Sequence, residues 1–361
     1  MKRVFSFMLS LIMAVSCIFG LNFSAEASEN SSIAVGDYIT LGTYYGAPIK
    51  WRCVAIDENG PLMLSDKILC FKAFDAAGND EEYHKDDWGY IRKSHGSNCW
   101  SDSSIRQWLN TSGEVKYTHC PPNKDNVYQG YNPYDTESGF LTGFSSVDFT
   151  CIKTVTQRAY LNDYDHYGRN GYCDGGNAEL VYSINTSNTS VDYSKYYYQN
   201  VTDKFFLLGP EQIDASCKNL GKDYILNTYP TEAAVNNSTY KNSNLSPDKV
   251  WESYLGVPRN EGASFENQTI TCRVGGSCFG SHNISVYNGQ FGIRPAFYLN
   301  TENYNDYNKT IENMLGNIDL GPYAINGATI DIAGHKIPLV KLEAGIKMSI
   351  GDFKIIDDQK K

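Results

Sequence analysis

The feature that most constrains the fold is a succession of short strand-forming runs, separated by turns rich in glycine and asparagine. Residues 49–56 alternate in character, residues 57–60 read Asp-Glu-Asn-Gly, and residues 61–65 form an apolar return. This pattern predicts a β-hairpin, because a tight turn between two strands of period two joins antiparallel neighbours. Further short strands are predicted at residues 36–42, 147–156, 180–182, 204–208, 251–258, 269–274, 282–287 and 292–299.

Helical patterns are few and short. The side chains at residues 101–104 are hydroxyls and a carboxylate, which can accept hydrogen bonds from the first amides of a helix. Ile105, Trp108 and Leu109 follow at the spacing of one apolar helix face, and residues 210–219 predict a second helix. We therefore predict an α+β fold with a twisted, mostly antiparallel sheet, one or two short helices and long irregular loops. The side chains assigned to its core or to the support of the core are Trp51, Trp108, Leu109, Phe206, Arg294 and Pro295.

The first residues have the order of a secretory signal peptide. Lys2 and Arg3 precede an apolar run at 4–19, and Ala-Glu-Ala at 25–27 provides a cleavage site. A retained membrane anchor or a lipid on Cys17 are the alternatives, but the polar residues at 28–32 favour removal. We expect a secreted or cell-surface protein that has no membrane span after cleavage.

A change in composition near residue 300 divides the rest of the chain. We predict a main domain at 33–300, a polar linker at 301–322 and a small β appendage at 323–361. The appendage has alternating runs at 328–332, 336–340 and 346–350, separated by glycine turns. An appendage of this size has little surface to bury if it folds alone.

Charge and motif content exclude several classes of function. The net charge of -10 becomes -11 when residues 1–27, with Lys2, Arg3 and Glu26, are removed. An acidic chain without a basic block cannot neutralise phosphates, so we expect no nucleic-acid partner. No signature of a nucleophilic hydrolase is present, and His84 and His95 lack the spacing of metal ligands. We therefore predict no metal, no cofactor and no catalytic residue.

The cysteines fit an oxidising compartment. Ten cysteines less Cys17 of the signal leave nine, so at least one is free or paired between chains. Cys272 and Cys278 flank a glycine-containing turn and form the one natural candidate for a local disulfide. The chain also has 27 tyrosines, whose rings can stack on sugars or peptides, although tyrosine is also an ordinary strand residue.

Several ordered segments resemble a known family. They are Gly-Asp-Tyr-Ile-Thr-Leu-Gly at 36–42, the hairpin around Trp51, the segment 100–110, Asp-Lys-Phe-Phe-Leu-Leu at 203–208 and Gly-Ile-Arg-Pro-Ala-Phe-Tyr-Leu at 292–299. Together they resemble a family of domains of unknown function from exported proteins of Gram-positive bacteria. This resemblance implies a C-type-lectin-like fold over residues 33–300, distantly similar to sulfatase-modifying (formylglycine-generating) enzymes. The family's Trp-Trp-Leu-Arg-Ser-Pro-Gly is replaced here by Tyr-Leu-Gly-Val-Pro at 254–258, so its arginine is missing and Arg259 is a candidate substitute.

In a lectin-like fold, ligands dock on the loops between the late strands, which correspond here to residues 254–290. Aromatic and arginine side chains carry most binding energy at such surfaces. The predicted ligand contacts are Tyr254, Arg259, His282, Asn283 and Tyr287. The motifs of a calcium-dependent lectin are absent.

Three functions stay open at this point. The first is a non-catalytic binding module of the cell envelope that recognises a glycan or a protein. The second is an oxidoreductase of the formylglycine-generating kind, in which Cys272 or Cys278 would act as an activated thiolate. The third is a structural envelope protein.

Overall fold

The computed structural model describes residues 33–78, 96–161, 192–226, 228–259, 268–272, 283–306, 329–332, 335–338 and 353–356. The strands are β1 (Tyr38–Tyr44), β2 (Ala47–Asp57), β3 (Gly60–Ser65), β4 (Cys70–Phe71), β5 (Ser112–Gly113), β6 (Gly139–Phe140), β7 (Val155–Tyr160), β8 (Tyr198–Asp203), β9 (Ser253–Arg259), β10 (Gln268–Cys272), β11 (Asn283–Ser285), β12 (Gly292–Ile293), β13 (Ala296–Tyr298), β14 (Thr329–Ile332), β15 (His335–Pro338) and β16 (Phe353–Ile356). The α-helices are α1 (Ser104–Leu109), α2 (Ser146–Cys151), α3 (Pro210–Leu220), α4 (Lys222–Leu226) and α5 (Glu232–Asn237). The predicted signal peptide and the predicted strand at 180–182 lie outside the described residues.

The predicted hairpin is the centre of the first sheet, which has the order β1-β2-β3-β13 with antiparallel neighbours. Trp51 on β2 is fully buried, and its indole donates to the Leu41 carbonyl at 2.8 Å. The rings of Phe205 and Phe297 lie 5.6 and 4.9 Å from the Trp51 ring. Cys53, on the same strand, is buried as predicted. The two strands predicted from the alternation of apolar and polar residues at 49–65 therefore contribute the centre of the hydrophobic core.

The second sheet has the order β11-β10-β9-β12-β4, and its β12–β9 pair is parallel whereas its other pairs are antiparallel. The single strand predicted at 292–299 is divided into β12, which pairs in this sheet, and β13, which pairs with β3 in the first. Arg294 and Pro295 form the break, because proline has no amide hydrogen to give to a ladder. The guanidinium of Arg294 is buried (5% exposed) and donates to the carbonyls of Ser65, Asp66 and Ile225.

Two of the segments that carried the family resemblance bind each other. Helix α1 begins as predicted, since the Ser103 hydroxyl accepts from the Arg106 amide. Asp203 is buried and accepts from the Trp100 indole and the Arg106 guanidinium, each at 2.8 Å. The side chain of Asn110 binds the backbone of Lys204 and Phe205. These residues therefore join the segment 100–110 to the segment 203–208.

Two strand predictions were wrong. Residues 147–151 belong to helix α2, because the Ser145 hydroxyl and the Asp148 carboxylate form a reciprocal capping box. Strand β7 begins only at Val155. Residues 205–208 are buried but lie beyond the end of β8, and Phe206 keeps only a bridge to Ala296. Burial makes such a run apolar without requiring a strand.

The described domain continues past residue 300. Residues 301–306 are helical, Tyr304 is buried in the main core, and the Asn303 amide donates to the Thr150 carbonyl at 2.7 Å. The start of the predicted linker thus packs on the domain. Further along, β14, β15 and β16 form an antiparallel sheet of order β15-β14-β16, in which β14 and β15 correspond to two predicted strands.

The protein is a mixed α+β structure with mostly antiparallel sheets and few helices, as the sequence predicted. The described residues contain five α-helices, so the expected number of one or two was too low. None of the helices in the described part of the chain has the length and apolar character of a membrane span.

Candidate functional site

The predicted ligand contacts occupy different environments. Tyr254 is 1% exposed, and its hydroxyl donates to the carbonyls of Ser285 and Asn288 at 3.2 and 2.9 Å. Burial raises the pKa of this phenol well above its usual value. Tyr254 therefore supports the turn at 285–288 from the core and does not lie on the surface, where a ligand would bind. Tyr287, on the same turn, is partly exposed. Arg259 and Asn283 lie in β9 and β11, and His282 lies outside the described residues.

Three of the buried cysteines do not provide an activated thiolate. Cys53, Cys70 and Cys151 are buried, and burial raises their pKa values to about 12, 12 and 11. Thiols with such pKa values stay protonated and are poor nucleophiles at neutral pH. Cys272 lies in β10, and Cys278 lies outside the described residues. The predicted disulfide between these two cysteines therefore stays a prediction.

Five partly exposed aromatic side chains form two neighbouring groups, which together we call the tyrosine surface: Tyr128, Tyr131, Tyr240, Trp251 and Tyr287. The rings of Tyr128 and Tyr287 meet edge to face at 5.9 Å. The ring of Tyr240 lies 5.0 Å from that of Tyr131 and 6.1 Å from that of Trp251. The backbone connects the two groups, because Tyr128 and Tyr131 belong to one turn and the Tyr128 amide donates to the Tyr287 carbonyl.

Asn132 fixes the loops that carry these rings. Its carbonyl oxygen accepts from the Thr239 amide at 2.7 Å, and its amide group donates to the Gly289 carbonyl at 2.7 Å. Asn132 has φ 51°, a left-handed conformation that asparagine tolerates better than most residues. Gly289 allows the closest approach, since a Cβ there would lie 2.1 Å from the Tyr131 carbonyl oxygen. The loops around residues 131, 239 and 289 are therefore held in one arrangement.

Amide groups border the rings. The Gln129 amide donates to the Tyr128 hydroxyl at 3.0 Å, and the Asn242 amide donates to the Tyr240 hydroxyl at 2.8 Å. Each phenol that accepts in this way keeps its own hydrogen for an external acceptor. Gln129 has φ 52°, which is strained for a residue that is neither glycine nor asparagine. Backbone strain of this kind is concentrated at functional sites.

A second polar cluster is largely buried, although its Glu137 side chain is 29% exposed. Lys72 is 2% exposed, and its ammonium lies 2.5 Å from a Glu137 carboxylate oxygen and over the rings of Trp108 and Tyr134 at 4.6 and 4.8 Å. The Tyr44 hydroxyl donates to the other Glu137 oxygen at 2.7 Å. The two opposite charges pair with each other, and the burial of the Lys72 ammonium gives this cluster a structural character. Within the described ranges, no group of three or more His, Cys, Asp or Glu side chains is placed to hold a metal ion.

A buried carboxyl lies beneath the tyrosine surface. The Asp75 amide donates to the carbonyl of Val286, next to Tyr287, and its carboxylate accepts from the Ser97 amide and from the amide and hydroxyl of Ser104. Burial outweighs these hydrogen bonds and raises the pKa of Asp75 from 3.8 to about 6. The ionised carboxylate is thus less favourable in the folded protein than in the unfolded chain.

The stability of the protein is therefore expected to rise as the pH falls from 7 towards 4. Because the pKa of Asp75 is higher in the folded protein than in the unfolded chain, protonation of Asp75 stabilises the fold. This stabilisation is fully present below pH 3.8 and is lost as the pH rises through about 6. The contribution is on the order of 3 kcal/mol. Denaturant midpoints measured between pH 4 and 8 test this, and Asp75→Asn should flatten the profile. An equally steep profile in the variant would assign the effect to other groups, such as Asp148 or Glu211, whose pKa values burial also raises.

Sequence reasoning found one of the five residues of the tyrosine surface, Tyr287. No strand or helix was predicted for the segment that contains Tyr128 and Tyr131, and Tyr240 and Trp251 were not singled out as contacts. The sequence does show that tyrosine is abundant and that amide side chains and glycines are frequent in the loops. This composition does not indicate which aromatic rings lie in contact with each other.

The comparisons with known proteins give one match. The family described as Domain of unknown function (DUF6273) matches residues 59–301, which is more than half of the chain. The matched range begins in the turn before β3 and ends at the first residue of the helical segment 301–306, so it includes α1, Asp203, Arg294 and the tyrosine surface. No curated protein and no solved structure matches the chain.

Proposed function

Since this chain belongs to the DUF6273 family, whose description assigns no function, we propose one from its surface: an exported, non-catalytic module that binds a glycan through the tyrosine surface. The single observation that carries the proposal is the pair of ring groups, Tyr128 with Tyr287 and Tyr131 with Tyr240 and Trp251, held on fixed loops. Export rests on the order of charge, apolar run and small residues at 1–27.

The chemistry of the patch favours a sugar over a peptide. Tyrosine and tryptophan offer wide, rigid faces with a polar edge, so they bind at little cost in conformational entropy. The side chains that donate to the phenols of Tyr128 and Tyr240 are the uncharged amides of Gln129 and Asn242. Amides and phenols pair with sugar hydroxyls as donors and acceptors, whereas protein interfaces are enriched in arginine. The arrangement supports binding of a neutral glycan with at least two sugar units, one for each group of rings.

A C-type-lectin-like fold is part of this proposal. It is supported by the mostly antiparallel sheets and by the position of Tyr287 in the connection between β11 and β12. The calcium motifs of such lectins are absent from the sequence, so the proposed binding is independent of calcium and should persist in EDTA.

Loss of aromatic anchors should abolish binding. The mature protein is titrated against immobilised dextran, mannan and xylan and against soluble chitin oligosaccharides. Replacing an anchoring aromatic by alanine removes about 2 kcal/mol, or roughly 30-fold in affinity. We therefore expect Tyr128→Ala and Tyr287→Ala each to weaken binding at least 10-fold, and the double variant to lose it.

The controls separate binding from folding. Tyr229→Ala removes an exposed tyrosine (39% exposed) outside the tyrosine surface and should bind like the parent. Gln129→Gly relieves the left-handed strain, so it should keep or increase thermal stability while it weakens binding. Binding by the double variant at parental affinity, or no binding of the parent to any of these glycans, would refute the proposal.

A further inference from the structure

An apolar groove lies where the two ends of the main domain meet. Its volume is about 620 Å³, and it lies between the first described residues, the β2–β3 hairpin and the helical segment 301–306. The lining side chains include Ile33, Val35, Ile56, Pro61, Thr301 and Asn305, none of which is charged. Ile56 is 50% exposed, although isoleucine is among the most consistently buried residue types.

The groove is placed to receive chain that continues from it. Asn305 lines the groove, and Asp306, one residue later, is the last described residue before the connection to β14. Residues 307–328 then connect the domain to β14. A segment that starts at the groove needs almost no reach, because even five residues extend roughly 17 Å.

The sequence of this connection carries an apolar stripe. Ile311, Met314, Leu315 and Ile318 follow at the i, i+3, i+4, i+7 spacing of one helix face. The stripe is uncharged, as the groove is. The chain on the other side, at 28–32, reads Ser-Glu-Asn-Ser-Ser and offers no apolar side chain.

We propose that residues 311–318 dock their apolar face in the groove between Val35, Ile56 and Asn305. The connection to β14 is then a bound element of the domain. Docking would bury the exposed side chains of Ile56 and Val35 against the apolar stripe at 311–318. It is independent of the glycan proposal, because the groove and the tyrosine surface share no residue.

Photo-crosslinking tests the occupant directly. The photoreactive residue p-benzoylphenylalanine is placed at Ile56 in the full-length mature protein, and the crosslinked peptides are identified by mass spectrometry. The same residue at Tyr229 is the matched control, since Tyr229 is exposed and does not line the groove. We expect an intramolecular crosslink from position 56 to residues 307–328, with a yield at least fivefold above that from position 229.

A second variant keeps the result interpretable. Ile311→Asp with Leu315→Asp should abolish this crosslink and should speed tryptic cleavage after Lys309 at least tenfold, with the near-ultraviolet circular dichroism unchanged. A crosslink to residues 28–32, a crosslink to a second molecule, or a yield no higher than the control would each overturn the proposal.

Discussion

Arg294→Ala is expected to lower the free energy of unfolding by about 3–5 kcal/mol, because buried polar groups left without a partner cost about 1–3 kcal/mol each. The guanidinium donates to the Ser65, Asp66 and Ile225 carbonyls and lies 5.0 Å from the Tyr224 ring. Arg294 lies at the break between β12 and β13, where the chain passes from one sheet to the other. Its loss should therefore weaken both sheets together, and equilibrium denaturation in urea measures it.

Two further variants define what the arginine supplies. Arg294→Lys keeps the charge but cannot present donors in the fixed fork that reaches three carbonyls, so an intermediate loss is expected. Arg158→Ala removes a half-exposed pair with Glu211 and should cost less than about 1 kcal/mol. If Arg294→Ala cost no more than Arg158→Ala, the carbonyls must find other donors and the assignment of Arg294 as the link between the sheets would be wrong.

Features with a local signal were predictable from the sequence. The hairpin of β2 and β3 follows from alternation around Asp-Glu-Asn-Gly, and helix α1 follows from its cap and its apolar spacing. The core roles of Trp51, Trp108 and Arg294 were also predicted, and these side chains are buried. For the hairpin, the helix and the two tryptophans the determining interactions act within a few residues or through simple burial. The role of Arg294 follows instead from its place in a segment that resembles the family, because its hydrogen-bond partners are distant in sequence.

Features set by distant partners were not predictable. The buried run at 205–208 has the composition of a strand, yet its neighbours are the Asn110 side chain and Ala296 rather than a ladder. Tyr254 has the residue type of a ligand contact, and only the turn above it makes it a core residue. The tyrosine surface depends on Asn132 binding Thr239, 107 residues away. No local pattern records such a contact.

Glu137→Ala is expected to destabilise the protein by about 3–5 kcal/mol, because it leaves the buried ammonium of Lys72 without a counter-charge. Lys72→Met should behave in the opposite way. Methionine has a similar length, its sulfur packs well against aromatic rings such as Trp108 and Tyr134, and it removes a desolvated charge. The Glu137 carboxylate that remains is 29% exposed, so it is hydrated by solvent and still accepts from the Tyr44 hydroxyl. We expect Lys72→Met to be neutral or stabilising, and denaturant midpoints for the two single variants and for Lys72→Met with Glu137→Leu measure the difference.

The same variants decide whether this cluster is structural or functional. A structural pair predicts that Lys72→Met keeps the parental affinity for any glycan bound at the tyrosine surface, since Lys72 contacts none of its five rings in the described structure. A loss of binding in a stable Lys72→Met protein would contradict that assignment and would move the functional site to Lys72 and Glu137. The opposite signs expected for the two single variants make the test sharp, because general damage to the core would destabilise both.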